Sequence, residues 1–394
     1  MRIELTSLER PATAENQFET RDKLLALAGG EGFEFAAIAP VALPPNVRET
    51  ALRELGEGKY AGMGWMTEAW TVRASSAETF LPGCRSILML GLHTAPPAPL
   101  PATDGITRGR VARYAWGRDY HRVFEARMRK VVREIREKLG GEARATVDYG
   151  PLLERPFAVL GGLGWLGKST MLLIPGVGPW VLLGAIATDL LAEPGGPLRK
   201  SCGSCNRCVR ACPTGALGEA GNVLDARLCV SYQTIENRGP IPRQLRPRMG
   251  SWVFGCDDCL ISCPVGSRSL ESEADLEERA PSLSRLLELD EAAFKERFRG
   301  RAVARARRDG LARNACVALG NTGDEEDLAD LFDALRDGAP LVRGHAAWAI
   351  ALLTLRSGAA RGPSLGALKR QRLEETDAWV HSELDAAMVE VGAG

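Results

Sequence analysis

Two periods of hydrophobic and polar positions alternate along the first half of the chain. In "ENQFETRDKLLALAGGEGFEFAAIAP" apolar residues recur at helical spacing, stop at Gly29-Gly30 and resume as a short run. That pattern predicts an amphipathic helix, a glycine turn and a strand. "CRSILMLGL" (Cys84 to Leu92) reads as an apolar strand ahead of "HTAPPAPLPATDG", a proline-rich loop. "DYHRVFEARMRKVVREIREKLGG" returns to helical spacing and ends at Gly140-Gly141, and "ARATVDYGPLLERP" predicts a strand running into a loop. The most apolar run, "WVLLGAIATDLLA" (Trp180 to Ala192), contains Asp189 and is too short to span a bilayer. The alternation predicts an α/β or α+β unit to about residue 195.

The pattern then changes twice. Residues 196–270 hold little apolar content and many cysteines, so metal is expected to help hold them together. Beyond Glu271 the chain is rich in Ala, Leu and Arg at helical spacing. A weak repeat appears there: Asn314-Ala315 and His345-Ala346 are 31 residues apart, with Ala318 matching Ala349 and Leu319 matching Ile350. That period suggests HEAT-type helix pairs, which usually form a binding surface; an ordinary helical bundle is the alternative. The expected fold class is α+β in three parts, 1–195, 196–270 and 271–394.

Composition narrows the function. With 394 residues, 45% hydrophobic and 25% charged, the chain has the make-up of a globular protein of two or three cores. Its 50 basic and 50 acidic residues cancel, so a nucleic-acid site would have to be a local patch. The opening "MRIELTSLERPATAENQ" has acids and no apolar segment, so no secretory signal is read there. A cytoplasmic protein with no membrane partner is expected.

Ten cysteines in that compartment argue against disulfides, and eight of them fall between Cys202 and Cys263. "CGSCNRCVRACP" is C-x2-C-x2-C-x3-C-P, the bacterial ferredoxin run for a 4Fe-4S cluster. "CDDCLISCP" adds Cys256, Cys259 and Cys263, and Cys229 lies between the two runs. In two-cluster ferredoxins the cysteine before proline serves the other cluster. Applying that crossover assigns Cys202, Cys205, Cys208 and Cys263 to one cluster, and Cys212, Cys229, Cys256 and Cys259 to the other. Two zinc sites are the alternative. Cys84, placed on a strand, and Cys316, in a repeat helix, read as buried structural residues.

Two motifs need a partner for those electrons. "GGLGWLGKST" (Gly161 to Thr170) fits both the phosphate-loop and the dinucleotide fingerprints. Asp148 follows a strand-like stretch and precedes Gly150-Pro151. It is placed either to present an acid to a reaction or to cap the following turn.

Taken together, "VDYGPLLERPFAVLGGLGWLGKST", the cysteine pattern, "LCVSYQTIENRGPIP", "RYAWGRDYH" and "MGWMTEAWTVRASSAETFLPGCRSILMLGL" resemble the epoxyqueuosine reductase family over nearly the whole chain. The resemblance implies an α/β cobalamin-binding reductase domain, a two-cluster ferredoxin module and a helical repeat domain. It implies two-electron reduction of epoxyqueuosine in the anticodon loop of tRNA to queuosine, with release of water. Electrons would run from an external low-potential donor through the clusters to cobalamin. It implies Asp148 as proton donor, and Arg73, Arg155, Lys168, Ser169, Ser231 and Asp257 near cofactor or substrate. The glycines of Gly161 to Gly167 then read as backbone in close approach to a corrinoid. No D-x-H-x-x-G signature is present, so none of the four histidines is expected as axial ligand. The chain departs from the expected family pattern at Tyr149, Ser169 and "CPVGSR", all near the presumed site.

The local basic patch exists. "KERFRGRAVARARRDGLAR" (Lys295 to Arg313) carries eight basic and two acidic residues, and "NRGPIPRQLRPRMG" adds four arginines with no acid. Arg238, Arg305, Arg307 and Arg308 are the candidate phosphate contacts for tRNA, with a solvated arginine-rich helix as the alternative. A monomer is expected. Two other functions are weighed: a small-molecule cobalamin reductase of the dehalogenase kind, and a phosphate-loop iron–sulfur ATPase using Lys168, Ser169 and Asp189.

Overall fold

The computed structural model describes residues 14–94, 105–266, 274–358 and 360–393. Residues 1–13 and most of the predicted proline-rich loop lie outside them. Among the described residues eight strands form: β1 (Phe35–Ala39), β2 (Ser86–His93), β3 (Arg110–Val111), β4 (Ala143–Thr146), β5 (Trp165–Leu166), β6 (Leu172–Leu173), β7 (Val181–Thr188) and β8 (Trp252–Phe254). Four of them make the central sheet, in the order β1-β2-β7-β4.

Every pairing in that sheet is antiparallel, with Ser86 opposite Thr188 and Ala143 opposite the same Thr188 on the other side. The first unit is therefore α+β in character, which corrects the α/β expectation for it. Antiparallel pairs need no right-handed crossover helix between neighbours. The apolar runs arise because both faces of β2 and β7 are covered. Along β2, Ile87 and Met89 enter one core and Leu88, Leu90 and Leu92 the other. Helix Tyr120–Glu134 closes the second face with Phe124, Met128 and Val131, all but fully buried. Each such side chain contributes about 1.5–3 kcal/mol on leaving water. Helix Glu154–Leu160 closes the first face with Phe157 and Ala158. Cys84 is buried, but it lies just ahead of β2, its thiol donating to the Ser86 carbonyl.

"GGLGWLGKST" follows helix Glu154–Leu160 and turns into the β5–β6 hairpin. A phosphate loop needs a strand before it and a helix after it, so the ATPase alternative is corrected by topology. Asp189 is spoken for as well, accepting the Glu142 N–H at 2.8 Å. Packing within the chain itself requires these glycines. Gly162 (φ +81°) has no room for a Cβ because the Gly196 carbonyl occupies that space. The close approach is to the chain's own backbone.

The third core runs from Val111–Trp116 through Val230–Phe254 into the C-terminal helices Arg307–Thr322, Leu328–Ala334, Pro340–Ser357, Arg361–Glu374 and Ala378–Ala393. Both polar members of the weak repeat are buried there and grip the same inner loop. Asn314 donates to the carbonyls of Thr234 (2.9 Å) and Val253 (2.8 Å), and the Ile241 N–H donates to His345 Nε2 (3.1 Å). Arg313 donates to the carbonyls of Gln233, Asn237 and Gly239. β3 pairs in parallel with β8, tying the first unit to this layer.

Candidate active site

Asp148 sits two residues past β4 with φ +54°, a left-handed backbone that a non-glycine residue occupies at a cost of order 1–3 kcal/mol. Glu154 holds the turn, its Oε1 accepting the Asp148 N–H at 2.9 Å. On the other side His121 Nε2 lies 3.5 Å from Asp148 Oδ2, and Asp119 Oδ1 lies 2.6 Å from His121 Nδ1. Tyr120 lines the same cavity as Asp148. The His121 ring, aided by Tyr120 and by the charge of Arg305, holds the Asp148 carboxyl below its usual range. His121 moves up in return: its hydrogen bonds to Asp148 and Asp119 outweigh the burial that opposes charge. Removal from water pushes Glu154 up to about 8. These groups meet at a cavity of about 120 Å3 lined by Tyr120, Asp148, Glu154, Arg155, Met171 and Val181–Leu183. One wall is apolar and the other carries three acids or phenols.

Of the remaining expected contacts, Arg155 lines this cavity and donates to the Thr170 carbonyl at 3.0 Å. Arg73 is exposed at the end of helix Glu68–Ala74 and does not line it. Ser169 is buried in the hairpin, and the Lys168 carbonyl accepts the Asn222 N–H at 2.9 Å, so this pair docks the cysteine module. Ser231 opens helix Val230–Ile235 half-buried. Asp257 is buried and accepts the Arg113 N–H at 2.7 Å, a backbone anchor, with burial raising its carboxyl to about 6.

The eight clustered cysteines come together as free, half-buried thiols. The thiols acting electrostatically on Cys263 are Cys202, Cys208 and Cys205. Those acting on Cys256 include Cys259 and Cys229, and Cys212 acts on both Cys229 and Cys259. Cys208 acts on Cys259 as well, so the eight thiols form one connected group. Among the described residues no group of His, Cys, Asp or Glu closes on a single metal ion. The all-thiol donor sets suit polynuclear iron–sulfur clusters.

The basic patch is smaller than its sequence suggests. Arg308, 15% exposed, is bound by both oxygens of Asp337 and by the Leu289 carbonyl, so its selection as a phosphate contact is corrected. Arg297 pairs with Glu277, Arg301 with Glu278, and Arg243 and Arg246 with Glu383. Arg238 donates to the carbonyls of Arg305 and Ala306. Arg305 pairs with Glu236 at 2.5 Å while its charge reaches Asp148, and Arg307 is exposed.

Sequence reasoning did not single out His121, Tyr120, Asp119 or Glu154. Their signal was present in "GRDYH" and "LLERP", but only the fold brings those segments to opposite sides of Asp148.

An acid-bearing cavity and eight clustered thiols on one frame define an iron–sulfur reductase. Residues 201–266 match the model of the 4Fe-4S double cluster binding domain, and residues 74–149 that of "Epoxyqueuosine reductase QueG, DUF1730". The chain is 38% identical over 340 residues to the epoxyqueuosine reductase of Xanthomonas campestris pv. campestris, covering 84% of this chain and 95% of that one. It is 40% identical over 319 residues to that of Gloeobacter violaceus, covering 77% and 97%. A crystal structure of epoxyqueuosine reductase with an epoxyqueuosine-modified tRNA-Tyr stem loop superposes with a TM-score of 0.87 at 27% identity, covering 95% and 99%. One from Bacillus subtilis, with its catalytic Asp loop swung out of the active site, superposes with a TM-score of 0.85 at 26% identity, covering 94% and 99%. The chain belongs to the epoxyqueuosine reductase family. It is an oxidoreductase whose cofactors are two 4Fe-4S clusters and cobalamin.

Proposed function

We propose that this protein reduces epoxyqueuosine in the anticodon loop of a tRNA to queuosine, with Asp148 as the acid at the reacting oxygen. The observation that carries the reading is the placement of Asp148: strained, at a strand end, on the cavity wall, between a histidine and a glutamate. Strain of this kind persists where the surroundings hold it in place. The half-buried apolar run Val181–Leu183, on a strand otherwise buried from Gly184 onward, suits one face of a large flat macrocycle. Cobalamin, when bound, supplies a strongly reducing cobalt centre at that wall. Arg155 and Tyr120 would meet its polar edge or the substrate.

Cys202, Cys205, Cys208 and Cys263 hold one cluster, and Cys212, Cys229, Cys256 and Cys259 the other, in this reading. The clusters carry electrons singly from an external donor toward the cavity. Exposed Arg307 and the half-free Arg305 and Arg238 provide phosphate contacts, and the C-terminal helix pairs, HEAT-like in period, carry the outer part of the stem loop. The layout 1–195, 196–270 and 271–394 is retained as reductase part, cluster module and helical part. The enzyme works as a cytoplasmic monomer. No helix among the described residues is long and apolar enough to cross a membrane.

The test is Asp148→Asn in the reconstituted enzyme, scored as conversion of epoxyqueuosine to queuosine in digested stem loop. Loss of a positioned acid lowers the rate about 10²–10⁴-fold, with cluster absorbance and stem-loop affinity kept. An undiminished rate would overturn the assignment.

A further inference from the structure

Asp148 poses a problem for a proton donor. Its carboxyl lies below its usual range because His121, 3.5 Å away, with Tyr120 and the charge of Arg305, favours the ionised form, so at neutral pH it carries no proton to give. The proton is on its neighbour. His121 has a carboxylate at each ring nitrogen, Asp119 Oδ1 at 2.6 Å from Nδ1 and Asp148 Oδ2 at 3.5 Å from Nε2. A carboxylate only accepts, so the imidazolium, with a donor on both nitrogens, is the form that satisfies both contacts. Asp119 is fixed in turn, because the same Oδ1 caps helix Tyr120–Glu134 by accepting the His121 N–H at 3.1 Å. The ring stacks with Tyr120 (centroids 4.1 Å, 29°) and with Tyr149 (5.7 Å, 28°), whose hydroxyl donates to Glu125 at 2.7 Å. Aromatic faces favour a cation there. The family-atypical Tyr149 therefore gains a use: it packs on the charged ring.

We propose that Asp119, His121 and Asp148 form a proton relay, in which His121 stores the proton and Asp148 delivers it to the substrate oxygen. The inference rests on the reading of Asp148 as the acid and names what charges it. Converting an epoxide to an alkene breaks both C–O bonds, forms the C=C bond, and consumes two electrons and two protons to release water. The electrons come from the external donor of the established reaction. As the first C–O bond opens, the Asp148 carboxylate takes a proton from His121 Nε2 and passes it to the oxygen, which leaves His121 neutral and Asp148 ionised as before. The second proton, which completes the water, comes from solvent, and solvent recharges His121. His121 acts through Asp148 and is a positioning residue. The titratable and charged groups around the pair are Asp119, Tyr120 and Glu125 on its own helix and cap, Asp148, Tyr149 and Glu154 after β4, and Tyr114 and Arg305 across the cleft.

The experiment combines single-turnover reduction of an epoxyqueuosine stem loop by the loaded enzyme, from pH 5.5 to 9, with nitrogen NMR titration of the imidazoles. The chain has only four histidines, so each is traceable. In the wild type one imidazole should titrate above the ordinary value of about 6.5, and the rate should fall as pH rises through that same point. Asp148→Asn should lower that imidazole's titration point. His121→Gln should cut the neutral-pH rate about 10–100-fold, part of the general-acid contribution, with KM for the stem loop unchanged, and its alkaline fall should move toward the carboxylate range. Should His121→Gln fail to fold, Asp119→Asn carries the test, because it should move both the titration and the rate limb to lower pH. A His121 that titrates at or below the ordinary value, or a limb unmoved by either substitution, overturns the relay. An inactive Asp148→Asn beside a wild-type-like His121→Gln removes the relay and leaves Asp148; a fully active Asp148→Asn removes both.

Discussion

Glu154→Gln should make this protein more stable at neutral pH, although it removes a carboxyl group next to Asp148. Removal from water, with the Asp148 charge added, raises Glu154 from its usual 4.5 to about 8. The native chain therefore keeps this carboxyl protonated at pH 7, whereas the unfolded chain ionises it. For an acid raised in the native state, stability is lost as pH climbs above the unfolded value, and the loss levels off above the native one. At pH 7 the gap from 4.5 is about 2.5 units, which at about 1.36 kcal/mol each is about 3 kcal/mol as an upper bound. Glutamine keeps the carbonyl that accepts the Asp148 N–H at 2.9 Å and has no charge to lose. With an unfolding entropy of about 2.1 cal/mol/K per residue over 394 residues, that gain raises Tm by about 3–4 °C. Thermal unfolding by circular dichroism, on wild type and variant of matched cluster content, measures it at pH 4.5, 7 and 8. The gain should be near zero at pH 4.5 and full at pH 8. A gain independent of pH, or a loss at pH 8, refutes the argument.

Four further outcomes follow from named contacts. Glu383→Ala strands Arg246, 1% exposed, and should cost about 3–5 kcal/mol, read as a lowered Tm; a change near zero would mean water reaches the guanidinium. Arg307→Glu should weaken stem-loop binding and flatten its salt dependence by roughly one counterion, whereas Arg308→Glu should lower Tm by breaking the Asp337 pair. Equal salt slopes for the two variants in binding titrations would contradict that division. Cys263→Ser should lose the cluster of Cys202, Cys205 and Cys208 and keep the other, seen as about half the iron and a single EPR signal on reduction. Gly178→Ala, at φ +75° and against the Val265 carbonyl, should loosen the end of the cysteine module and speed oxidative loss of that same cluster, followed by absorbance.

What could be read in advance divides by range. Helix Ala14–Gly30, β1, β2, helix Tyr120–Glu134 and β4 were visible because their burial is set by local period, whereas β7 showed only as the most apolar run and helix Glu154–Leu160 not at all. The direction of the strands was not visible, because an apolar strand buried on both faces reads alike in a parallel and an antiparallel sheet. The double-cluster module was legible because cluster spacing is written in the cysteines themselves. The arginines misled for the opposite reason. Composition counts charge, but the acids that neutralise Arg297, Arg308 and Arg246 lie 20, 29 and 137 residues away.

The same reasoning explains why Asp148 was found and His121 was not. An acid beside Gly150-Pro151 at a strand end is a local signal, whereas a histidine on a helix is chemically silent until its ring nitrogens find partners. Asp119 supplies one partner from two residues away and Asp148 the other from 27. The left-handed backbone at Asp148 turns its carboxylate toward that ring, and Glu154 holds the backbone from the far side with a group that stays neutral. An ionised Glu154 would set two negative charges side by side and draw His121 and Arg305 away from Asp148. Keeping Glu154 protonated is thus what lets a single carboxylate face a single imidazolium, and the stability lost at Glu154 above its unfolded titration point is the counterpart of that arrangement.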